Sequence, residues 1–157
     1  CIVSSVAKGF EELVAVGLAD SVPAVFGVQA EGAAPLARAW AAAGERAAEM
    51  SPAEVLAAVA PVVPHTLADS ICVGVPRNRL KAWSRVATTG GGFLSVTDEE
   101  IVAAIGLMCR LAGVWAEPSG AAGMAGLVKA RGAGLIGPHD RVVVLVTGHG
   151  LKDPRAT

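Results

Sequence analysis

The 157-residue chain carries no excess of either charge: 13 Lys and Arg stand against 14 Asp and Glu, for a formal net charge of −1. Without a basic stripe it lacks the electrostatic footprint that nucleic acid or an anionic lipid surface requires, so neither is expected as a partner. Cysteine is scarce. Cys1, Cys72 and Cys109 are odd in number, far apart and unaccompanied by a secretory signal, which excludes a disulfide framework and points to a reducing, cytoplasmic setting. The longest apolar stretch, Ile101 to Ala116, is interrupted by Arg110. It falls short of the roughly 18 uninterrupted residues that a membrane span needs and reads as a core helix.

Several chemical motifs are missing too. His65, His139 and His149 have no metal-site spacing and the cysteines form no C-x-x-C, so no metal is expected. A G-x-S-x-G nucleophile elbow is absent. Gly90-Gly91-Gly92 and Gly148-x-Gly150 match neither a P-loop nor a G-x-G-x-x-G that follows a strand. The first of these clusters reads as a flexible connector ahead of Thr97.

What the chain does have is 53% hydrophobic content, enough for one domain with a real core, and no repeat, charge block or linker to divide it. Apolar residues at Val6, Phe10, Leu13, Val14 and Leu18 predict a helix from Ile2 that stops near Gly17 and Asp20. Val25 to Ala30, between Pro23 and Gly32, reads as a strand, and a helix follows from about Pro35. Ser51-Pro52-Ala53-Glu54 and Thr97-Asp98-Glu99-Glu100 both carry a hydroxyl cap with a carboxylate three residues on. Ser119 is read as the cap of a small-residue helix with Lys129 and Arg131 near its end and Gly132 as its stop. This alternation predicts an α/β architecture, a parallel sheet with flanking helices.

The most informative stretch is Val142 to Asp153, where five consecutive apolar residues run into Thr-Gly-His-Gly-Leu-Lys-Asp. An apolar run without alternation predicts a strand buried on both faces of a parallel sheet. Open α/β sheets bind ligands outside the carboxyl ends of such strands, which makes Thr147 the first candidate functional residue. Glu31, Asp69 and Glu117 are further candidates, because each interrupts an apolar neighbourhood. Glu117 also sits beside the positive start of the small-residue helix, where a carboxylate is favoured whether or not it serves a ligand.

Five segments, in series and in order, resemble the threonine synthase family of pyridoxal-phosphate enzymes, whose fold type is shared with the tryptophan synthase β chain. They are Lys8-Gly9-Phe10-Glu11-Glu12-Leu13, Gly27-Val28-Gln29-Ala30-Glu31-Gly32, Thr66-Leu67-Ala68-Asp69-Ser70-Ile71, Glu117-Pro118-Ser119-Gly120-Ala121-Ala122 and Thr147-Gly148-His149-Gly150-Leu151-Lys152-Asp153. The resemblance implies a tryptophan synthase β-like fold of type II, of which residues 1–157 form a carboxyl-terminal part with no second domain. It implies pyridoxal 5'-phosphate as cofactor, a small amino-acid substrate, a homodimer at full length, and conversion of O-phospho-L-homoserine and water to L-threonine and phosphate. Its nearest alternatives are a cysteate synthase or threonine/serine dehydratase of the same fold, or a non-catalytic remnant.

By the same resemblance Thr147 would offer its hydroxyl to the pyridine nitrogen, and Cys1 would end the loop that holds the cofactor phosphate at a helix start. Ala68 and Asp69 would line the cofactor ring or its neighbouring wall, which Glu117 would stabilise. The Schiff-base lysine of the family lies far upstream. None of Lys8, Lys81, Lys129 and Lys152 matches its context, so this chain is expected to be a piece of a longer polypeptide, inactive by itself and holding no catalytic residue of its own. Cys1 in place of the usual Asn, and an Ala-rich extension between Leu36 and Pro64, depart from the family pattern.

Overall fold

Two helix starts are written locally in the chain, and both form. Ser51 and Thr97 each accept the amide three residues ahead, while Glu54 and Glu100 reach back to the cap amides, giving complete capping boxes for α3 (Pro52–Ala58) and α5 (Asp98–Ala112). The other elements of this computed structural model, which describes residues 2–154, are α1 (Ile2–Ala15), β1 (Phe26–Ala30), α2 (Pro35–Ala43), α4 (Arg79–Thr88), β2 (Gly92–Val96) and α6 (Pro118–Gly132). β1 and β2 pair as a two-stranded parallel sheet with flanking helices, the α/β class that the alternating pattern predicts. Among the described residues no helix is long and apolar enough to cross a membrane.

The described residues fall into two compact units: 2–27, 35–62 and 75–93 form one, and 28–34, 63–74 and 94–154 the other. In the first, α4 packs on α1 and α3. Its core is aromatic: Trp40 and Trp83 have ring centroids 4.8 Å apart, and Phe93 lies 5.4 Å from Trp40. The buried Trp83 indole donates to the Ala47 carbonyl at 2.8 Å, so its polar atom is satisfied. Arg85 reaches from α4 to both carboxylate oxygens of Glu11 on α1.

In the second unit α5 packs on α6. Ile101, Ala104, Ile105 and Met108 meet Ala121, Ala122 and Ala125, with Ala30, Ala68, Val96 and Ala116 completing the core. Alanine and glycine along α6 permit the close approach. A Cβ on Gly126 would stand 2.4 Å from a methyl of Val28. α5 ends where Gly113 turns left-handed (φ +64) and the Val114 amide donates back to the Met108 carbonyl, a geometry that suits glycine alone without strain.

Four sequence expectations change. α4 and β2 are additional elements, β2 beginning within the glycine cluster read as a connector. α6 is capped by Glu117 rather than Ser119: Pro118 has a fixed φ and no amide to donate, so it takes the first helical position and moves the cap back. The left-handed residue beyond α6 is Gly134 (φ +73), with Gly132 still helical. The largest departure is Val142–Val146, which joins no strand among the described residues, with Val143 83% exposed and Leu145 49% exposed. A strand buried on both faces needs hydrogen-bonded neighbours at both edges. Here the described residues supply only helix packing, Gly123 of α6 against Val144.

The α3 cap also sets a pH dependence. Glu54 is held below the ordinary carboxylate range, first by the Ser51 hydroxyl, then by the Ser51 amide and the nearby Arg46. A carboxylate with a depressed folded pKa adds stability above its unfolded value and loses it as pH falls through the folded one. Urea unfolding between pH 6 and pH 3 should therefore show an acid-side loss of stability that shrinks in Ser51→Ala. Equal losses in both proteins would show that this cap is not responsible.

Candidate functional site

Three of the segments singled out in the sequence come together within the second unit. The first is fixed by α5: the Asp98 carboxylate accepts from the Thr66 hydroxyl and, at 3.0 Å, from the Leu67 amide, while the Ala68 amide donates to Thr66 Oγ1 at 3.1 Å. A carboxylate in the first turn of a helix is favoured by the helix dipole and here also satisfies a loop. Ala68 is consequently driven into the core, fully buried. Asp69 and Ser70 follow in a 3-10 turn, Asp69–Ile71, and both are exposed.

The second segment is the start of α6, and the third is the turn after Val146. An isolated antiparallel bridge joins Ala116 to His149. The Glu117 amide donates to the Gly148 carbonyl and the Gly150 amide to the Trp115 carbonyl, both at 2.9 Å. Glycine is what makes this pairing fit. A Cβ on Gly148 would lie 2.0 Å from Glu117 Oε1, one on Gly150 2.2 Å from the Trp115 indole nitrogen, and one on Gly120 2.9 Å from the Gly148 carbonyl oxygen. The Trp115 and His149 rings meet edge to face at 5.5 Å, and His149 Nδ1 accepts the Leu151 amide.

Glu117 is the one charged residue buried among the described residues, 5% exposed. A buried carboxylate requires a partner. Lys152 supplies it, with Nζ 2.9 Å from Oε2 and 3.1 Å from Oε1, and donates a further bond to Ser70 Oγ at 2.8 Å. These side chains border a cleft of about 260 Å³ lined by Asp69, Ser70, Glu117, Pro118, Ser119, Lys152 and Asp153.

Of the sequence candidates, Asp69 and Glu117 thus share one cleft. Ala68 lies in the core behind the Asp69 turn, and Glu31 opens the 3-10 turn Glu31–Ala33 at the end of β1. Thr147 is exposed on a backbone fixed through Gly148, and no hydrogen bond among the described residues engages its hydroxyl. Cys1 lies outside the described residues. Lys152, Ser70 and Asp98 were not picked out from the sequence as site residues. Lys152 stood inside a singled-out motif, but its partner Glu117 is 35 positions away and no local pattern links them.

Residues 2–148 match the family described as pyridoxal-phosphate dependent enzyme. Among curated proteins, the threonine synthase of Methanocaldococcus jannaschii is 39% identical over 98% of this chain and 35% of its own length. That of Methanosarcina acetivorans is 40% identical over 98% and 35%, and that of Mycobacterium leprae 40% over 94% and 36%. The chain therefore spans about a third of the length of the relatives it matches.

Proposed function

The chain belongs to the pyridoxal-phosphate dependent enzyme family, whose fold is that of the tryptophan synthase β chain, and from this we propose that it is the carboxyl-terminal part of a cytoplasmic threonine synthase. The reaction is conversion of O-phospho-L-homoserine and water to L-threonine and phosphate. The observation that carries this reading is the 39–40% identity to threonine synthases across 94–98% of the chain.

The residues present fit the cofactor at one defined atom. The Thr147 hydroxyl, unengaged among the described residues, sits on a backbone pinned by the Glu117–Gly148 hydrogen bond, and such a group suits the pyridine nitrogen. When bound, the cofactor supplies an electron sink for negative charge on the substrate carbons. Thr147 would temper that sink, since an alcohol donates a hydrogen bond to the nitrogen without transferring its proton as a carboxylic acid does. Glu117 is committed to Lys152, so the ring nitrogen would be left to Thr147. Three of the four lysines are held in ion pairs, Lys8 with Glu12, Lys129 with Glu100 and Lys152 with Glu117.

The test is product analysis of the protein expressed with the reading frame that precedes Cys1 in its gene, given pyridoxal 5'-phosphate and O-phospho-L-homoserine. Threonine and phosphate should appear in equal amounts. A keto acid from serine or threonine would move the protein to the dehydratases, and no turnover with no cofactor absorbance would leave a non-catalytic remnant.

A further inference from the structure

We propose that Lys152 is a positioning residue for the cofactor: it clamps the buried Glu117 carboxylate and the Ser70 hydroxyl, and through Glu117 fixes the turn that carries Thr147. The inference rests on the reading of Thr147 as the residue that meets the cofactor ring. An ammonium group has three N–H donors and no acceptor. Lys152 donates to Glu117 Oε1 at 3.1 Å and to the hydroxyl of Ser70 at 2.8 Å, with Glu117 Oε2 in ion-pair contact at 2.9 Å. Lys152 thereby ties together the Asp69–Ile71 turn, the start of α6 and its own turn, Gly150–Lys152.

The path from Lys152 to Thr147 is short and made of backbone. Glu117 Oε1 occupies the space that a side chain on Gly148 would fill, and the Glu117 amide donates to the Gly148 carbonyl at 2.9 Å. Gly148 is bonded directly to Thr147. The Lys152 side chain is 59% exposed, so the attraction across the pair is screened and contributes little by itself. The burial of Glu117 is what gives the pair its effect: without Lys152 its carboxylate is left unpaired in the interior and must swing toward water. That movement withdraws the side chain that packs against Gly148. Lys152 is also poorly placed to be a free nucleophile, since its ammonium group is engaged by Glu117 and Ser70.

The experiment titrates the full-length protein with pyridoxal 5'-phosphate and, separately, follows amide hydrogen exchange at Gly148 and Gly150 without cofactor. Lys152→Met is expected to weaken cofactor binding about tenfold, within the coupling range of residues in one network. It should also speed exchange of the Gly150 amide. Lys152→Arg keeps a cation and should bind as the unmodified protein does. The double variant Lys152→Met/Glu117→Gln removes the buried charge along with its partner and should regain most of the affinity and protection. In a Thr147→Ala background, Lys152→Met should cost nothing further, which a general loss of folding would not reproduce.

Unchanged exchange at Gly150 in Lys152→Met would overturn the proposal, as would equal losses of affinity with and without Thr147. Failure of the unmodified protein to bind the cofactor would instead overturn the functional reading on which it rests, while the exchange measurement would still report on the clamp.

Discussion

Thr147→Ala, in the full-length protein, is expected to lower threonine formation about 2- to 12-fold, the rate equivalent of the roughly 0.5–1.5 kcal/mol carried by a hydrogen bond to a neutral acceptor. The expectation follows from the hydroxyl's position. It is exposed and, among the described residues, unengaged, and its backbone is held by the Gly148 pairing rather than by the side chain. The substitution therefore removes a donor without disturbing the fold. Thr147→Ser keeps the hydroxyl and should retain most of the activity. Steady-state rates with O-phospho-L-homoserine, read beside the absorbance band of the bound cofactor, test both variants. Wild-type turnover with an unshifted band in Thr147→Ala would remove Thr147 from the site.

Gly32→Ala destabilises the chain by about 3 kcal/mol, at the upper end of the usual cost of overpacking and with a strained hydrogen bond added. A Cβ on Gly32 would lie 1.8 Å from the carbonyl oxygen of His65 and 3.0 Å from its carbon, while the His65 amide donates to the Gly32 carbonyl at 3.1 Å. Backbone opposes backbone here. No rotamer change can relieve the clash, so the two segments must separate and lose that bond. Gly9→Ala is the control: nothing lies within 4 Å of its Cβ inside α1, and alanine should gain about 1 kcal/mol from helix propensity. Denaturant midpoints measure both. Similar midpoints for the two variants would mean that the Gly32–His65 contact does not constrain the fold.

The two glycines stand in neighbouring sequence motifs and looked alike in the sequence, which shows where sequence reading stops. Capping boxes were legible because Ser51 with Glu54 and Thr97 with Glu100 complete their hydrogen bonds within four residues. β1 was legible from its β-rich run between Pro23 and Gly32. α4 was missed because Arg79–Thr88 is a polar helix whose apolar face, Trp83 and Val86, is narrow. β2 was missed because Gly91 looks like slack, whereas its missing side chain leaves room for the carbonyl of Val25, which a Cβ would approach to 1.9 Å. Val142–Val146 has the composition of a buried strand, but burial depends on neighbours that a local run of residues cannot supply.

The site was legible as segments and not as a network. Asp69, Glu117 and Thr147 were named from their surroundings in the sequence, and the structure places Asp69 and Glu117 on one cleft. The pairs that hold those segments, Thr66 with Asp98 and Glu117 with Lys152, are 32 and 35 residues apart. Such contacts follow from the packing of α5 on α6, which periodicity indicates only as two apolar faces.

The aromatic arrangement also makes the molecule optically convenient. The chain has three tryptophans and no tyrosine, so its near-ultraviolet absorbance and intrinsic emission come almost wholly from indole. Trp40 and Trp83 belong to the first unit and sit close enough to exchange excitation, whereas Trp115 belongs to the second and rests against His149. Exciting at 295 nm a protein that retains only Trp115 would isolate the emission of the turn beside Thr147. Ligand arrival there could be followed in real time without any attached dye.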